Sequence, residues 1–311
     1  MKRQWWQDAV IYQVYLRSFK DSNNDGIGDF NGLISKLDYL KDLGINTVWV
    51  SPHYQSPMDD NGYDVSDFYQ VSKDYGTMNE CLTFIDEAHK SNIKVIFDLV
   101  LNHVSDEHEW FKAARDIKHK DHLKYKDYFI WQPPKFTKSR KREMPTQWVS
   151  WFGGPVWEYV EDLNEYYLHI FSKKMPDLNW HNEDMKNDLK DMIKWWIDKG
   201  VDGFRVDASN HLEKDWDFPE GNPGYEYFSS LPKHHEYLAE LGKEIFIPSG
   251  VMTVGEAGGA TREEALKYCG FESTEFDMLI HFGHCWADCD WSNKVISGKW
   301  SKGEIDVVSI K

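Results

Sequence analysis

Three short segments of the chain end in side chains that can do acid–base or nucleophilic chemistry. DLVLNH supplies Asp98 and His103, GFRVDASNH supplies Arg205 and Asp207, and VGE ends at Glu256. Glycoside hydrolysis needs such groups, because one carboxylate attacks or stabilises an oxocarbenium-like centre while a carboxylic acid protonates the leaving oxygen. An adjacent arginine lowers the pKa of an aspartate and keeps it anionic. The sequence therefore predicts Asp207 as the nucleophile and Glu256 as the general acid and then base.

The elements that position these side chains alternate between strands and helices. Six β-rich runs, separated by segments of helical period, cover residues 10–19, 47–52, 94–103, 203–209, 247–256 and 276–283. Strand, helix and strand in this order give right-handed crossovers and a parallel sheet. The chemically active residues end the strands, as in a (β/α)8 barrel, and no glycine-rich phosphate turn of a doubly wound sheet follows any strand. We therefore expect a (β/α)8 TIM barrel.

The orientation of the fourth run follows from the period of a strand. Residues two apart lie on the same face, so Arg205 and Asp207 should both face the barrel interior at its mouth. Phe204 and Val206 should then face the helices.

The chain is divided by a long polar and aromatic segment that follows His103. A loop of this length without structure of its own is uncommon in a compact domain, so residues 104–173 are predicted to be an inserted subdomain. The first part of the barrel is then 1–103 and its continuation 174–311. Six of the eight strands are visible, and the sequence indicates that the chain stops inside the helix after strand six, near WSKGEIDVVSIK.

Composition excludes several classes of function. The formal net charge of −16 argues against a nucleic-acid partner, which requires basic surface. No apolar stretch approaches the ~18 residues of a membrane helix, and Gln7 and Asp8 interrupt any signal-peptide core, so we expect a cytoplasmic protein without a membrane partner. The four cysteines show neither a CxxC pair nor zinc-ligand spacing.

The segment DSNNDGIGDF after the first strand resembles a calcium loop. Oxygen-bearing side chains and a turn glycine match positions 1, 3, 5, 9 and 6 of an EF-hand: Asp21, Asn23, Asp25, Asp29 and Gly26. Position 12, normally glutamate, is Gly32, and a strand pattern stands in place of the entering helix. The segment is therefore not predicted to be an EF-hand.

Four motifs in this order resemble the α-amylase family of glycoside hydrolases, family 13. They are DLVLNH, MPDLN (175–179), GFRVDASNH and VGE. WWQDAVIYQVYLRSFKDSNNDGIGD and NGYDVSDF (61–68) are similar to the oligo-1,6-glucosidase and α-glucosidase branch. The resemblance implies a TIM barrel with subdomain B after strand three, and a retaining mechanism through a covalent glycosyl-enzyme. It implies an exo-acting α-glucosidase of short oligosaccharides that attacks non-reducing ends, needs no organic cofactor and is a monomer when full length.

The resemblance also assigns roles to single residues. The nucleophile is Asp207 with Arg205 as its partner, the acid/base is Glu256, and Asp98 orients the groups around the nucleophile. The pocket for the non-reducing terminal glucose would comprise Asp60, Tyr63, His103 and Phe171. Of these, Tyr63 is expected to stack on the sugar, while Asp60 and His103 form hydrogen bonds with it. The metal loop would bind structural Ca²⁺ or Mg²⁺ through Asp21, Asn23, Asp25, the carbonyl of Ile27 and Asp29.

Other functions within the same fold stay open at this point. One is a glucosyl transferase or isomerase, and a second is a trehalose-6-phosphate hydrolase in which the basic run KSRKRE (138–143) binds phosphate. A third is a non-catalytic relative. Ala208 resembles the small residue typical of α-1,4-preferring members of the family, so the resemblance favours α-1,4 over α-1,6 linkages. The family's third carboxylate, in an NHD motif, is not found in these 311 residues, so they are expected to be a fragment or truncated product, inactive alone.

Overall fold

A six-stranded parallel sheet forms the centre of the molecule. The computed structural model describes residues 4–283 and the backbone of two short paired strands, Cys289–Asp290 and Val295–Ile296. The strands of the sheet are β1 (Ile11–Val14), β2 (Thr47–Val50), β3 (Lys94–Val100), β4 (Gly203–Asp207), β5 (Met252–Glu256) and β6 (Met278–Ile280). They lie side by side in chain order, every pair parallel. A doubly wound sheet would reverse its strand order, so the predicted barrel arrangement is confirmed.

Helices connect these strands and cover the outside of the sheet. Their bounds are Phe30–Ile34, Leu37–Asp42, Met78–Lys90, Glu183–Asp198, His234–Leu241 and Arg262–Cys269. Capping boxes begin two of them, since the side chains of Thr77 and Thr261 accept from backbone N–H groups three residues later. The helix Glu183–Asp198 begins at Asn182, whose side chain accepts from Met185 N.

The first predicted strand is shorter than its sequence pattern. Residues 11–14 form the strand, but Leu16–Phe19 form a helical turn. The metal-loop segment packs against this turn, because Gly28 N donates to Arg17 O at 2.7 Å. A Cβ atom at Gly28 would lie 2.1 Å from the carbonyl oxygen of Leu16, so the close approach requires glycine there.

Side chains of β4 alternate as predicted between the helices and the barrel interior. Phe204 and Val206 are fully buried in the main core beneath the helices. A smaller cluster of Ile96, Met252 and Val254, joined by Trp49, fills part of the other side of the sheet. The polar residues Arg205 and Asp207 extend from the face opposite Phe204, so β4 places them together at its C-terminal end.

The segment between β3 and the helix Glu183–Asp198 has secondary structure of its own. Its elements are the helices Glu109–Arg115 and His122–Lys126, a three-stranded sheet of Trp131–Gln132, Glu165–Leu168 and Trp157–Val160, and the strand pair Lys135–Phe136 and Arg142–Glu143. A second core containing Trp148 and Trp157 also includes Phe228, from the segment after β4. Residues beyond the predicted insertion therefore contribute to this second core. The bounds of the inserted subdomain, 104–173, stay a prediction.

The predicted helix after strand six lies outside the described residues. Within residues 4–283, no helix is long and apolar enough to cross a membrane.

Candidate active site

The guanidinium of Arg205 joins three carboxylates at the C-terminal ends of neighbouring strands. Its Nη1 donates to Asp98 Oδ1 and to Asp207 Oδ1, each at 2.6 Å. Its Nη2 forms an ion pair with Glu256 Oε2. Strands β3, β4 and β5 supply these residues, and the register pairs Arg205 with Asp98 and Val254. The predicted convergence of the three strand ends is therefore present in the structure.

Asp98 is fully buried beneath this cluster and is held from several sides. Trp49 Nε1 donates to its Oδ2 at 2.9 Å, and the Tyr63 hydroxyl lies 3.4 Å from the same oxygen. The Tyr63 oxygen also accepts from Arg205 Nη1 at 3.2 Å. Burial raises the pKa of Asp98 to about 6, although Arg205 opposes this shift. Asp98 thus supports Arg205 from below, in agreement with an orienting role.

The charge state of Asp207 reflects two opposing effects. Burial raises its pKa, whereas the charge and the hydrogen bond of Arg205 lower it, and the net shift is upward. The sequence predicted a downward shift from Arg205 alone, so the prediction of the net direction is wrong, because Asp207 is buried. At neutral pH the ion pair with Arg205 still favours the carboxylate, because burial of an unpaired charge would be far more costly.

Asp60 lies on the loop that faces this cluster. Its backbone N–H donates to Asp64 Oδ1 at 3.0 Å, and its carbonyl accepts from Tyr63 N at 3.0 Å. Burial, together with the negative charges of Asp207 and Asp64, raises the pKa of Asp60 to about 6. Asp60 is therefore close enough to Asp207 for their charges to interact.

His103 and Phe171 form the aromatic side of the site. Their rings meet edge to face with centroids 5.3 Å apart. His103 Nδ1 lies 3.1 Å from Asn102 Nδ2, while its buried Nε2 has no hydrogen-bond partner among the described residues. The ring of Phe171 also meets that of His211 edge to face, with centroids 5.8 Å apart. The predicted glucose-pocket residues are thus neighbours of the carboxylate cluster or of one another.

A cleft of about 630 Å³ opens beside Glu256. Its lining includes Phe171, Ala208, His211, Tyr225, Glu226 and Glu264. Trp151 and Tyr225 stack in its wall with ring centroids 4.1 Å apart and planes at 6°. Ala208 has a left-handed backbone, with φ of 45°. This cleft has the size and aromatic lining of a site for a small ligand.

Several residues of the site were not identified from the sequence. Trp49 holds Asp98, Trp151 and Tyr225 form the stacked wall, and Lys214 lies fully buried against Asp177 at 2.9 Å. The motif MPDLN contains Asp177, but the sequence does not indicate its partner, Lys214. Buried Lys–Asp pairs leave no periodic signal in a sequence, because each residue alone has the pattern of a surface charge.

The predicted metal loop lies outside the cleft. Asp21 accepts from the backbone N–H groups of Asn23, Asn24 and Gly26 at 3.0, 2.7 and 2.9 Å. Asp25 Oδ1 accepts from Ile27 N at 2.8 Å. Asp29 instead caps the helix Phe30–Ile34, accepting from Gly32 N at 2.6 Å, and its other oxygen accepts from Ser22. The loop is therefore folded around its acidic side chains.

A parallel barrel-type sheet whose strand ends bring an Asp and a Glu to one arginine defines the class of (β/α)8 glycosidases. The family model "Alpha amylase, catalytic domain" matches residues 13–310. The chain belongs to the α-amylase family, which confirms the resemblance seen in its motifs.

Known relatives and solved structures support this assignment. The chain is 46% identical to an oligo-1,6-glucosidase of Bacillus cereus over 318 aligned residues, which cover 100% of this chain and 55% of that protein. A trehalose-6-phosphate hydrolase structure of Bacillus licheniformis is 42% identical with a TM-score of 0.86, covering 92% of this chain and 51% of that one. An isomaltulose synthase structure of Klebsiella sp. LX3 is 36% identical with a TM-score of 0.90, covering 98% of this chain and 55% of that one. The chain spans about half the length of these proteins.

The proximity of Asp60 and Asp207 gives a test by titration. In the variant Asp207→Asn the pKa of Asp60 should fall below its value of about 6, because removal of a neighbouring negative charge favours the carboxylate. Carboxyl ¹³C chemical shifts against pH measure this, with Asp60→Asn to assign the signal. The variant Asp162→Asn, which changes an exposed acid outside the site, is the control. An unchanged pKa of Asp60 in Asp207→Asn would contradict the placement.

Proposed function

We propose that this protein is a retaining, exo-acting α-glucosidase of short oligosaccharides with α-1,4 or α-1,6 linkages. The observation that carries this proposal is the sharing of one guanidinium, that of Arg205, by Asp207 and Glu256. A bridge of a single group favours the roughly 5–5.5 Å carboxyl separation of retaining enzymes over the roughly 6.5–9.5 Å of inverting ones. The protein is proposed to act as a monomer in the cytoplasm.

In the proposed reaction the bond between the anomeric carbon and the leaving oxygen breaks in the first step. Asp207 attacks the anomeric carbon and forms a glycosyl ester, while Glu256 gives its proton to the leaving oxygen. In the second step Glu256 takes a proton from water, the water oxygen bonds to the anomeric carbon, and Asp207 leaves as a carboxylate. Arg205 stabilises Asp207 as an anion before the first step and after the second.

Azide distinguishes the two carboxylate roles. With 4-nitrophenyl α-glucoside as substrate, Asp207→Ala and Glu256→Ala should each lose at least about 10³-fold in hydrolysis, since each removes a reacting group. Azide should then give β-glucosyl azide with Asp207→Ala, by direct displacement, and α-glucosyl azide with Glu256→Ala, through the glycosyl-enzyme. The assay uses the protein as its gene encodes it, with product anomers assigned by NMR.

The outcome is informative in both directions. Asp98→Asn is a control that keeps both reacting carboxylates, so it should give no glucosyl azide of inverted configuration. Full hydrolytic activity in Asp207→Ala, or the same azide anomer from Asp207→Ala and Glu256→Ala, would contradict the assignment of the two carboxylate roles.

The cleft supports a free sugar as the leaving group over a phosphorylated one. Among the residues that the structure describes, no lysine or arginine lines it, whereas Glu226 and Glu264 do. Burial lowers the pKa of His211 to about 4, so that ring is neutral at pH 7. The basic run 138–143 does not line the cleft either, and the guanidinium of Arg142 stacks 3.5 Å from the ring centre of Tyr159. A phosphate dianion would therefore meet negative charge there.

Turnover of paired substrates tests this preference. We expect kcat/KM for maltose or isomaltose to exceed that for trehalose 6-phosphate by about tenfold or more, as like charges repel in a partly buried cleft. Glu226→Gln should narrow the gap, while Glu158→Gln, which changes an acid that does not line the cleft, should not. Preferential hydrolysis of the phosphorylated sugar would contradict the proposal.

We also propose that the loop of residues 21–29 binds Ca²⁺ or Mg²⁺ as a structural ion. The backbone hydrogen bond from Gly26, with others, lowers the pKa of Asp21, which favours the ionised ligand. Within the described residues, no group of three or more His, Cys, Asp or Glu side chains is placed to hold a metal ion. The cation would thus also need Asn23 and the Ile27 carbonyl, all oxygen donors that suit hard cations.

Thermal unfolding with and without the ion tests the loop. Millimolar Ca²⁺ should raise Tm relative to EDTA, since binding to the folded state alone stabilises it. Asp21→Ala should abolish the rise, and Asp162→Ala should leave it intact. A calcium-dependent Tm that survives in Asp21→Ala would show that the ion binds elsewhere.

A further inference from the structure

A fully buried lysine lies behind the proposed glucose pocket. Lys214 follows the 3₁₀ turn Ser209–His211 in the chain. Its ammonium nitrogen lies 2.9 Å from Asp177 Oδ2 and 2.9 Å from Asn102 Oδ1. It also donates to the carbonyl of His211. An ammonium has three donors and no acceptor, so two hydrogen bonds and the ion pair with Asp177 hold it between oxygen atoms.

This lysine fixes the orientation of the neighbouring amide. Because Lys214 can only donate, the Asn102 side-chain atom that faces it must be the oxygen. The amide nitrogen of Asn102 must then point the other way, and it lies 3.1 Å from His103 Nδ1. A flipped amide would place an N–H group against the ammonium and lose the hydrogen bond from Lys214.

The amide in turn fixes the proton on the histidine ring. Asn102 Nδ2 is a donor, so Nδ1 of a neutral His103 must be the acceptor, and the proton resides on Nε2. His103 Nε2 is buried and has no partner among the described residues. Burial and the charge of Lys214 together lower the pKa of His103 to about 3, although a hydrogen bond with the Tyr63 backbone opposes the shift, so the ring is neutral.

We propose that Lys214 and Asn102 are positioning residues that hold neutral His103 in its Nε2–H form, so that this nitrogen donates a hydrogen bond to a hydroxyl of the bound sugar. The sugar contact rests on the function proposed above; the relay itself does not. The backbone reinforces the arrangement, since His103 and Asp177 form an antiparallel bridge. DLVLNH and MPDLN thereby join Lys214 in one unit.

The proposed tautomer of His103 depends on the Asn102 amide, which accepts from Lys214 and donates to His103. Replacement of Asn102 by aspartate would present an acceptor to both Lys214 and His103, so Nδ1 would have to carry the proton. The side chain keeps its size, so the change reverses one hydrogen bond and adds one charge beside a cation. Asn102→Ala removes the amide and should leave the two tautomers mixed.

The tautomer is read from the ¹⁵N shifts of the His103 ring, with the signal assigned by loss in His103→Gln. The protein should show Nε2–H, Asn102→Asp should show Nδ1–H, and Lys214→Met should move toward a mixture. Asn179→Asp is the matched control, because Asn179 contacts Asp127 and His181 instead. Circular dichroism confirms that each variant is folded, and Asn102→Ala serves if Asn102→Asp is not.

These measurements separate the relay from the proposed function. Nδ1–H in the unaltered protein, for example with the Tyr63 backbone as acceptor, or an unchanged tautomer in both Asn102 variants, would overturn the relay without any substrate. If the relay stands, Asn102→Asp should raise KM for 4-nitrophenyl α-glucoside about tenfold with a smaller change in kcat, since a buried hydrogen bond to the sugar is lost. A tautomer switch with unchanged KM would instead overturn the sugar contact.

Discussion

The ion pairs of Arg205 are the interaction on which the site depends. Three carboxylates converge at the ends of β3, β4 and β5, and Arg205 contacts each of them. Without this cation they would repel one another and take up protons, because buried like charges cannot all stay ionised. Loss of one partner from such a buried cluster typically costs about 3–5 kcal/mol. The parallel register of β4 with β3 and β5 therefore brings the three carboxylates within reach of the Arg205 guanidinium.

The wall that faces this cluster comes from two distant parts of the chain. Trp148 packs on Tyr227 with ring centroids 5.5 Å apart, and its Nε1 donates to Pro219 O at 2.8 Å. Trp151 stacks on Tyr225 in the same way. The inserted segment and the segment after β4 thus stabilise each other through large aromatic contacts. The shape of the cleft beside Glu256 depends on both segments, because Trp151 and Tyr225 line it.

The sequence predicted those features that have a period or a position along a strand. Alternation and strand ends were sufficient for the parallel sheet and for the convergence of Asp98, Asp207 and Glu256 at its strand ends. They were not sufficient for Lys214, because NHLEKD has the composition of an exposed helix while the residue is 1% exposed. The upward pKa shift of Asp207 was missed for the same reason, since burial is a property of the folded chain. The turn at Leu16–Phe19 was also missed, and the residue that packs against it, Gly28, lies in another segment.

The resting position of Glu256 has a consequence for the proposed reaction. In the structure it pairs with Arg205, whereas the general acid of the proposed reaction must turn a protonated oxygen towards the leaving group. Glu256 therefore has to leave Arg205 before it can protonate a leaving oxygen. A sugar that enters between them would separate the pair, exclude water and leave Arg205 to Asp98 and Asp207. Substrate binding would then free Glu256 from its ion pair, so the proposed reaction would begin only in the occupied site.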